Sequence, residues 1–131
     1  MTDKVELARR DAEEYLELAE HARSGDFGNR IVVALCIHSL IRGNDALTLK
    51  YLGSTAKGRG HDSHIAFEKL YTGKEEFIEP RNKKYKSTLK KWIKSEKSRA
   101  EYKTKTYSKR DSDRCLKQTR RFLEKCVKEN I

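Results

Sequence analysis

Residues 29–52 read NRIVVALCIHSLIRGNDALTLKYL, and the reading of this stretch decides the fold. Its first part, residues 31–37, is apolar on every side. A helix without a polar face is one that its neighbours cover. The β-branched run Ile31-Val32-Val33 also suits a strand, but Leu40, Ile41, Ala46, Leu47 and Leu49 continue the apolar pattern well beyond strand length. His38, Ser39, Arg42, Asn44 and Asp45 interrupt it too soon for a membrane span, which needs about 20 apolar residues. The stretch is therefore expected to be the central helix of the fold, with residues 31–37 among its most buried.

The segments on either side read as helices that cover it. Over residues 3–24, Leu7, Ala8, Ala12, Tyr15, Leu18, Ala19 and Ala22 share one helical face. Asp3 and Glu6 form a capping-box pattern at its start, and Ser24-Gly25-Asp26 ends it. Residues 53–61 are a glycine-rich loop. Asp62 or Ser63 then caps a short helix over 63–71, with Ile65, Ala66, Phe67 and Leu70 packing inward. Pro80 suits the first position of a fourth helix, 80–104, striped by Tyr85, Leu89, Trp92 and Ile93. A fifth starts at Ser108 or Ser112 and reaches Asn130, burying Cys115, Leu116, Thr119, Phe122, Leu123, Cys126 and Val127. The expected fold is all-α: one domain, 1–131, an antiparallel up-and-down bundle of four long helices plus one short helix.

A chain of 131 residues is long enough to bury a core without covalent staples. The charged N-terminus carries no signal-like apolar segment, which predicts a cytoplasmic protein with no membrane partner. Cys36, Cys115 and Cys126 are odd in number and lack metal-ligand spacing, so they read as reduced core residues. No metal and no cofactor are implied. Charge is distributed unevenly. Residues 1–80 hold 11 Lys+Arg against 14 Asp+Glu, whereas residues 81–131 hold 19 against 6. A basic flank of net +13 in a chain of net +10 points to an anionic partner: RNA, a nucleotide or an acidic protein.

Three sets of residues are candidates for that chemistry. Basic rails run along the last two helices at steps of three and four: Lys83, Lys86, Lys90, Lys94 and Lys97 on one, Arg110, Arg114, Lys117, Arg121, Lys125 and Lys128 on the other. Such rails follow phosphates without reading bases. An ordinary solvated face has the same pattern. His38, Arg42 and Asp45 share one side of the central helix, where Glu96, Arg99 and Tyr102 of the fourth helix continue a polar edge. They form either an internal ion pair with a core histidine, or the lining of a ligand cleft. Arg59-Gly-His61-Asp-Ser-His64 supplies an arginine and two histidines on flexible backbone, a set suited to anion binding. It is equally suited to metal-free RNA cleavage, with one histidine moving a proton and Arg59 stabilising the phosphorane. The alternative role of His64 is structural, filling a groove at a helix start.

The order IHSLIRGNDALT, glycine-rich loop, HIAFEKL, then KSRAEY and a terminal RRFLEKCVKEN resembles the HEPN superfamily of small helical domains over nearly the whole chain. The resemblance implies a bundle of four or five helices, often a homodimer, often paired with a nucleotidyltransferase partner protein as in toxin–antitoxin systems. Active members are metal-independent ribonucleases with an arginine, four to six residues, then a histidine. Arg59 and His64, with four residues between them, match that spacing, although Gly60 stands where the motif usually has a polar residue. The contrasting expectation is a non-enzymatic module whose basic helices dock an acidic protein.

Overall fold

The computed structural model describes residues 2–25, 28–55, 63–72, 80–95 and 106–131, and the described residues contain helices and no strand. Helix α1 spans Thr2–Ser24, α2 Asn29–Leu52 and α3 Ser63–Thr72. A 3-10 turn, Pro80–Lys84, leads into α4, Tyr85–Leu89, which runs on as a π-helical stretch, Lys90–Ser95. The last rod begins as α5, Lys109–Phe122, passes through a π-helical turn, Leu123–Val127, and ends as α6, Lys128–Asn130. The all-α expectation holds, and the helices pack as a bundle around α2.

Contacts between rods fix their directions. Asp11 meets Arg42, Ala12 meets Ser39 and Tyr15 meets His38, so α1 and α2 are antiparallel. Asn29 reaches Ser112 at one end of α2 and Tyr51 reaches Asn130 at the other, so the last rod is parallel to α2. Arg81 lies by Glu129, Tyr85 by Phe122 and Trp92 by Gln118, so residues 80–95 run antiparallel to the last rod. Helix α3 closes the remaining side, with Phe67 edge-on to Phe122 at 6.1 Å between centroids.

The α1–α2 seam is built on small residues. Ala8, Ala12, Ala19 and Ala22 are buried, and the Ser39 hydroxyl donates to the Ala12 carbonyl at 2.6 Å. Leu7 and Leu18, expected on this face, are 47% and 54% exposed, and Leu16 is buried in their place. A seam of alanines brings the two backbones close and narrows the buried stripe, which leaves its flanking leucines outside.

Helix α2 is central, but its most buried part lies further along than expected. Ile31 is exposed and Ala34 and Leu35 are half-buried, whereas every residue from 43 to 48 is buried. Gly43 explains the shift. A Cβ there would stand 2.7 Å from Leu123 Cδ2 and 3.2 Å from Phe122 Cε2 and Val127 Cγ2. The missing side chain lets the π-helical turn of the last rod press onto α2, and that contact seals residues 43–48. By length and composition α2 is also apolar enough to cross a membrane, but 67% of its most apolar window is buried inside the fold, as in a core helix.

Polar residues within this core mostly bond to backbone. Asn44, fully buried, donates its amide to the Ser63 carbonyl at 3.0 Å and so ties the start of α3 to α2. Ser63 and His64 are buried beside it, while Ile65, expected to pack inward, is 46% exposed. Helix α3 therefore begins one step deeper in the core than its apolar pattern suggested.

Candidate nucleic-acid interface

The last rod is amphipathic. Ser108 caps α5 through a reciprocal pair: the Asp111 N–H donates to the Ser108 hydroxyl at 3.1 Å, and the Ser108 N–H donates to the Asp111 carboxylate at 3.0 Å. From that fixed start, Cys115, Leu116, Thr119, Phe122, Leu123, Cys126 and Val127 turn inward and are all buried, as the sequence predicts. Arg110, Arg114, Lys117, Arg121, Lys125 and Lys128 turn outward and are exposed. None of these six forms an ion pair with a carboxylate among the described residues. By contrast, Arg120, one step round the helix, pairs with Glu20 at 3.0 Å.

At Arg121 and Lys125 the rail borders a groove between the last rod and residues 80–95, and at Arg110, Arg114 and Lys117 it borders a depression lined by the last rod itself. Three adjoining cavities share Arg121. One of about 450 Å³ is lined by Arg110, Arg114, Lys117 and Gln118 together with Asp113. A smaller one of about 150 Å³ adds Lys84, Tyr85 and Thr88. A third of about 370 Å³, at the far end, is lined by Arg81, Asn82, Lys84, Tyr85, Lys125 and Glu129. The Trp92 indole N–H donates to the Gln118 side-chain oxygen at 2.6 Å and fixes the separation of the rods. Tyr85, which lines the groove, and Trp92 are 4% and 2% exposed, and the Lys84 and Lys91 ammoniums sit 5.4 Å and 4.8 Å from their ring centres, so neither offers an open ring face.

Its two carboxylates are both engaged. Asp113 lies 2.6 Å from the Arg23 guanidinium, whose hydrogen bond holds that carboxyl below its ordinary range. Glu129 lies 3.3 Å from Arg81. Groove and rail adjoin at Arg121 and together form a cationic surface whose two lining carboxylates among the described residues are both paired.

The other predicted rail is arranged differently. Lys86 pairs with Glu68 of α3 at 2.7 Å, and the Lys83 ammonium sits 5.3 Å from the centre of the Tyr71 ring, also on α3. Lys83 and Lys86 therefore face α3 and not the groove. Lys90 is exposed, Lys94 lies in the π-helical stretch, and Lys97 is outside the described residues. Arg81 and Lys84 line the groove instead. A rod that starts as a 3-10 turn and ends with π geometry does not keep the α-helical spacing from which the rail was read.

His38, Arg42 and Asp45 do share a face, turned toward α1. His38 stacks on Tyr15 at 5.3 Å, and Arg42 bridges Asp11 at 3.2 Å and Asp45 at 2.9 Å. Burial raises the Asp45 carboxyl above its ordinary range, against the opposing pull of Arg42. Arg59, His61, Glu96, Arg99 and Tyr102 lie outside the described residues. His64 is buried at the start of α3, 5% exposed. Among the described residues no cluster of histidine, cysteine and carboxylate groups has the makings of a metal site. All three cysteines are buried thiols; burial pushes Cys126 up to about 12 and Cys115 upward as well, so neither is a ready nucleophile.

No protein-family model, no curated protein and no solved structure matches the chain.

Proposed function

We propose that the chain is a HEPN-like helical domain that binds the phosphate backbone of single-stranded RNA in the groove between residues 80–95 and the last rod. The observation that carries the reading is the line of six exposed cations on that rod, none engaged by a carboxylate among the described residues. What sets these six apart from other exposed cations of the chain is their alignment on one side of a single rod, whereas Arg9, Arg23 and Arg120 are paired with carboxylates. At 1.5 Å per residue the rail from Arg110 to Lys128 extends about 27 Å, enough to follow several successive phosphates. Its steps of three and four residues place a charge roughly every 5 Å along one side of the helix. With Tyr85 and Trp92 buried and unavailable for stacking, the surface contacts backbone and discriminates little between bases.

The proposal is for binding. His64 enters it as a structural group, because its enclosure keeps it from a strand lying in the groove. The test is the triple variant Arg114→Glu/Lys117→Glu/Arg121→Glu. At low salt the parent should bind single-stranded RNA of mixed sequence and the variant should not. Equal binding by the two would show that the rail is a solvated face. Failure of the parent to bind RNA at all would leave an acidic partner protein as the occupant of the same surface.

A further inference from the structure

Gln118 is the neutral side chain shared by the two cavities that meet at Arg121 along α5. Its amide has a fixed orientation. An indole nitrogen can only donate, so the atom it meets at 2.6 Å is the Gln118 side-chain oxygen. Trp92 is 2% exposed, and turning the amide over would leave its buried N–H unsatisfied. The oxygen of Gln118 is thereby committed to Trp92, and the nitrogen, with two N–H donors, is left for the cavities. Among the described residues no acceptor takes it up.

Thr88 lines the smaller of the two cavities with it, half-buried, its hydroxyl without a partner among the described residues. Lys84 and Arg121 bring charge to the same cavity, and none of its lining residues is a carboxylate. Lys84, Arg121 and the available half of Gln118 can only donate, and Thr88 can donate as well. Such a lining suits a ligand that accepts hydrogen bonds on every side. The oxygens of a phosphodiester do so, whereas base edges carry donors among their acceptors. The size agrees: about 150 Å³ is below the usual range for a nucleoside-sized ligand.

We propose that this cavity is the seat of one phosphodiester of the bound strand, with Gln118 and Thr88 donating to its oxygens between Lys84 and Arg121. The inference deepens the RNA-binding reading and rests on it for the strand. The rail attracts any polyanion through charge. The seat adds hydrogen bonds of fixed direction, supplied by two neutral residues that do not belong to the rail, and so sets where along the groove a phosphate comes to rest.

The test measures single-stranded RNA binding by the full chain and by Gln118→Leu and Thr88→Val, over a range of salt concentrations, on oligo-U and oligo-A. Gln118→Leu also deprives the Trp92 N–H of its partner and should lower Tm. Thr88→Val keeps the side-chain shape and touches no bond within the fold, so it separates loss of the seat from loss of packing. Each variant should weaken binding about tenfold, the increment of one hydrogen bond to a charged group. The loss should be the same on both RNAs. The slope of log K against log salt should match that of the parent, because neither substitution changes charge. If both variants bind as well as the parent, the seat is refuted while the groove stands. A loss in only one variant, a loss confined to one base, or a flattened salt slope would also overturn it. If the parent binds neither RNA, the groove reading fails and the seat fails with it.

Discussion

Replacing Gly43 with alanine sets two calculable effects against each other. In a solvated helix the change stabilises, because alanine is favoured over glycine by about 1 kcal/mol in a helix interior. Here the new methyl would meet Leu123 Cδ2 at 2.7 Å and Phe122 and Val127 at 3.2 Å. Leu123, Phe122 and Val127 are 6%, 0% and 2% exposed and have little room to yield. Overpacking of this kind costs about 1–3 kcal/mol, so the net effect is a loss of about 0–2 kcal/mol. In a chain of this size about 1 kcal/mol corresponds to roughly 3–5 °C in Tm. Gly43→Val adds further carbon to the same contact and should be clearly worse than Gly43→Ala. Adding Leu123→Ala removes the closest atom, so Gly43→Ala should cost less in that background. Thermal and urea unfolding followed by circular dichroism provides the assay. If Gly43→Ala raises Tm by several degrees, the glycine is not at a close contact and the explanation given for the buried stretch 43–48 is wrong.

Three further outcomes follow from the same packing. His64→Ala should lower Tm markedly while leaving RNA affinity within about twofold, since removing a buried side chain typically costs 1–3 kcal/mol; an unchanged Tm together with lost RNA cleavage would instead make His64 catalytic. Burial raises the Asp45 carboxyl, so folding favours its protonated form. That contribution is fully present below the unfolded-state value, near 4, and is lost as pH rises through the folded-state value. The stability of the parent relative to Asp45→Asn, measured in urea, should therefore fall from acid pH toward neutrality, and a rise would contradict the assignment. Ser39→Ala should cost about 1 kcal/mol by removing the 2.6 Å bond to the Ala12 carbonyl; full neutrality in the same melts would show that this bond adds nothing to the α1–α2 seam.

The elements were legible because their signals are local. The Ser108 cap and the apolar stripe of the last rod both follow from α-helical spacing, and the structure reproduces them. The misreadings arise where a neighbour or a change of helix geometry decides. Nothing in the spacing of Leu7 and Leu18 reveals that an alanine seam narrows the buried face to Ala8, Ala12 and Ala19. Nor does anything in the spacing of α2 mark Gly43 as the point where Leu123, Phe122 and Val127 of the last rod press against it. For the site, the rail on the last rod was readable because Arg110 to Arg121 lies in regular helix. The companion rail was misplaced because 3-10 and π geometry over residues 80–95 turns Lys83 and Lys86 toward α3 and brings Arg81 and Lys84 into the groove. The partners Asp11 and Tyr15, which occupy the Arg42–His38 face, come from a different helix and left no mark on the spacing within α2.

The central claim, that the groove binds RNA through its phosphates, is tested most directly by the salt dependence of affinity. Binding that releases counterions follows a line in log K against log salt with a slope of about −0.7 per phosphate contact on a single strand. If five of the rail cations are engaged, the slope for the parent is about −3.5, and neutralising Arg114, Lys117 and Arg121 to glutamine should flatten it by about 2. A slope near zero in the parent, or a slope that the triple glutamine variant leaves unchanged, would contradict the account.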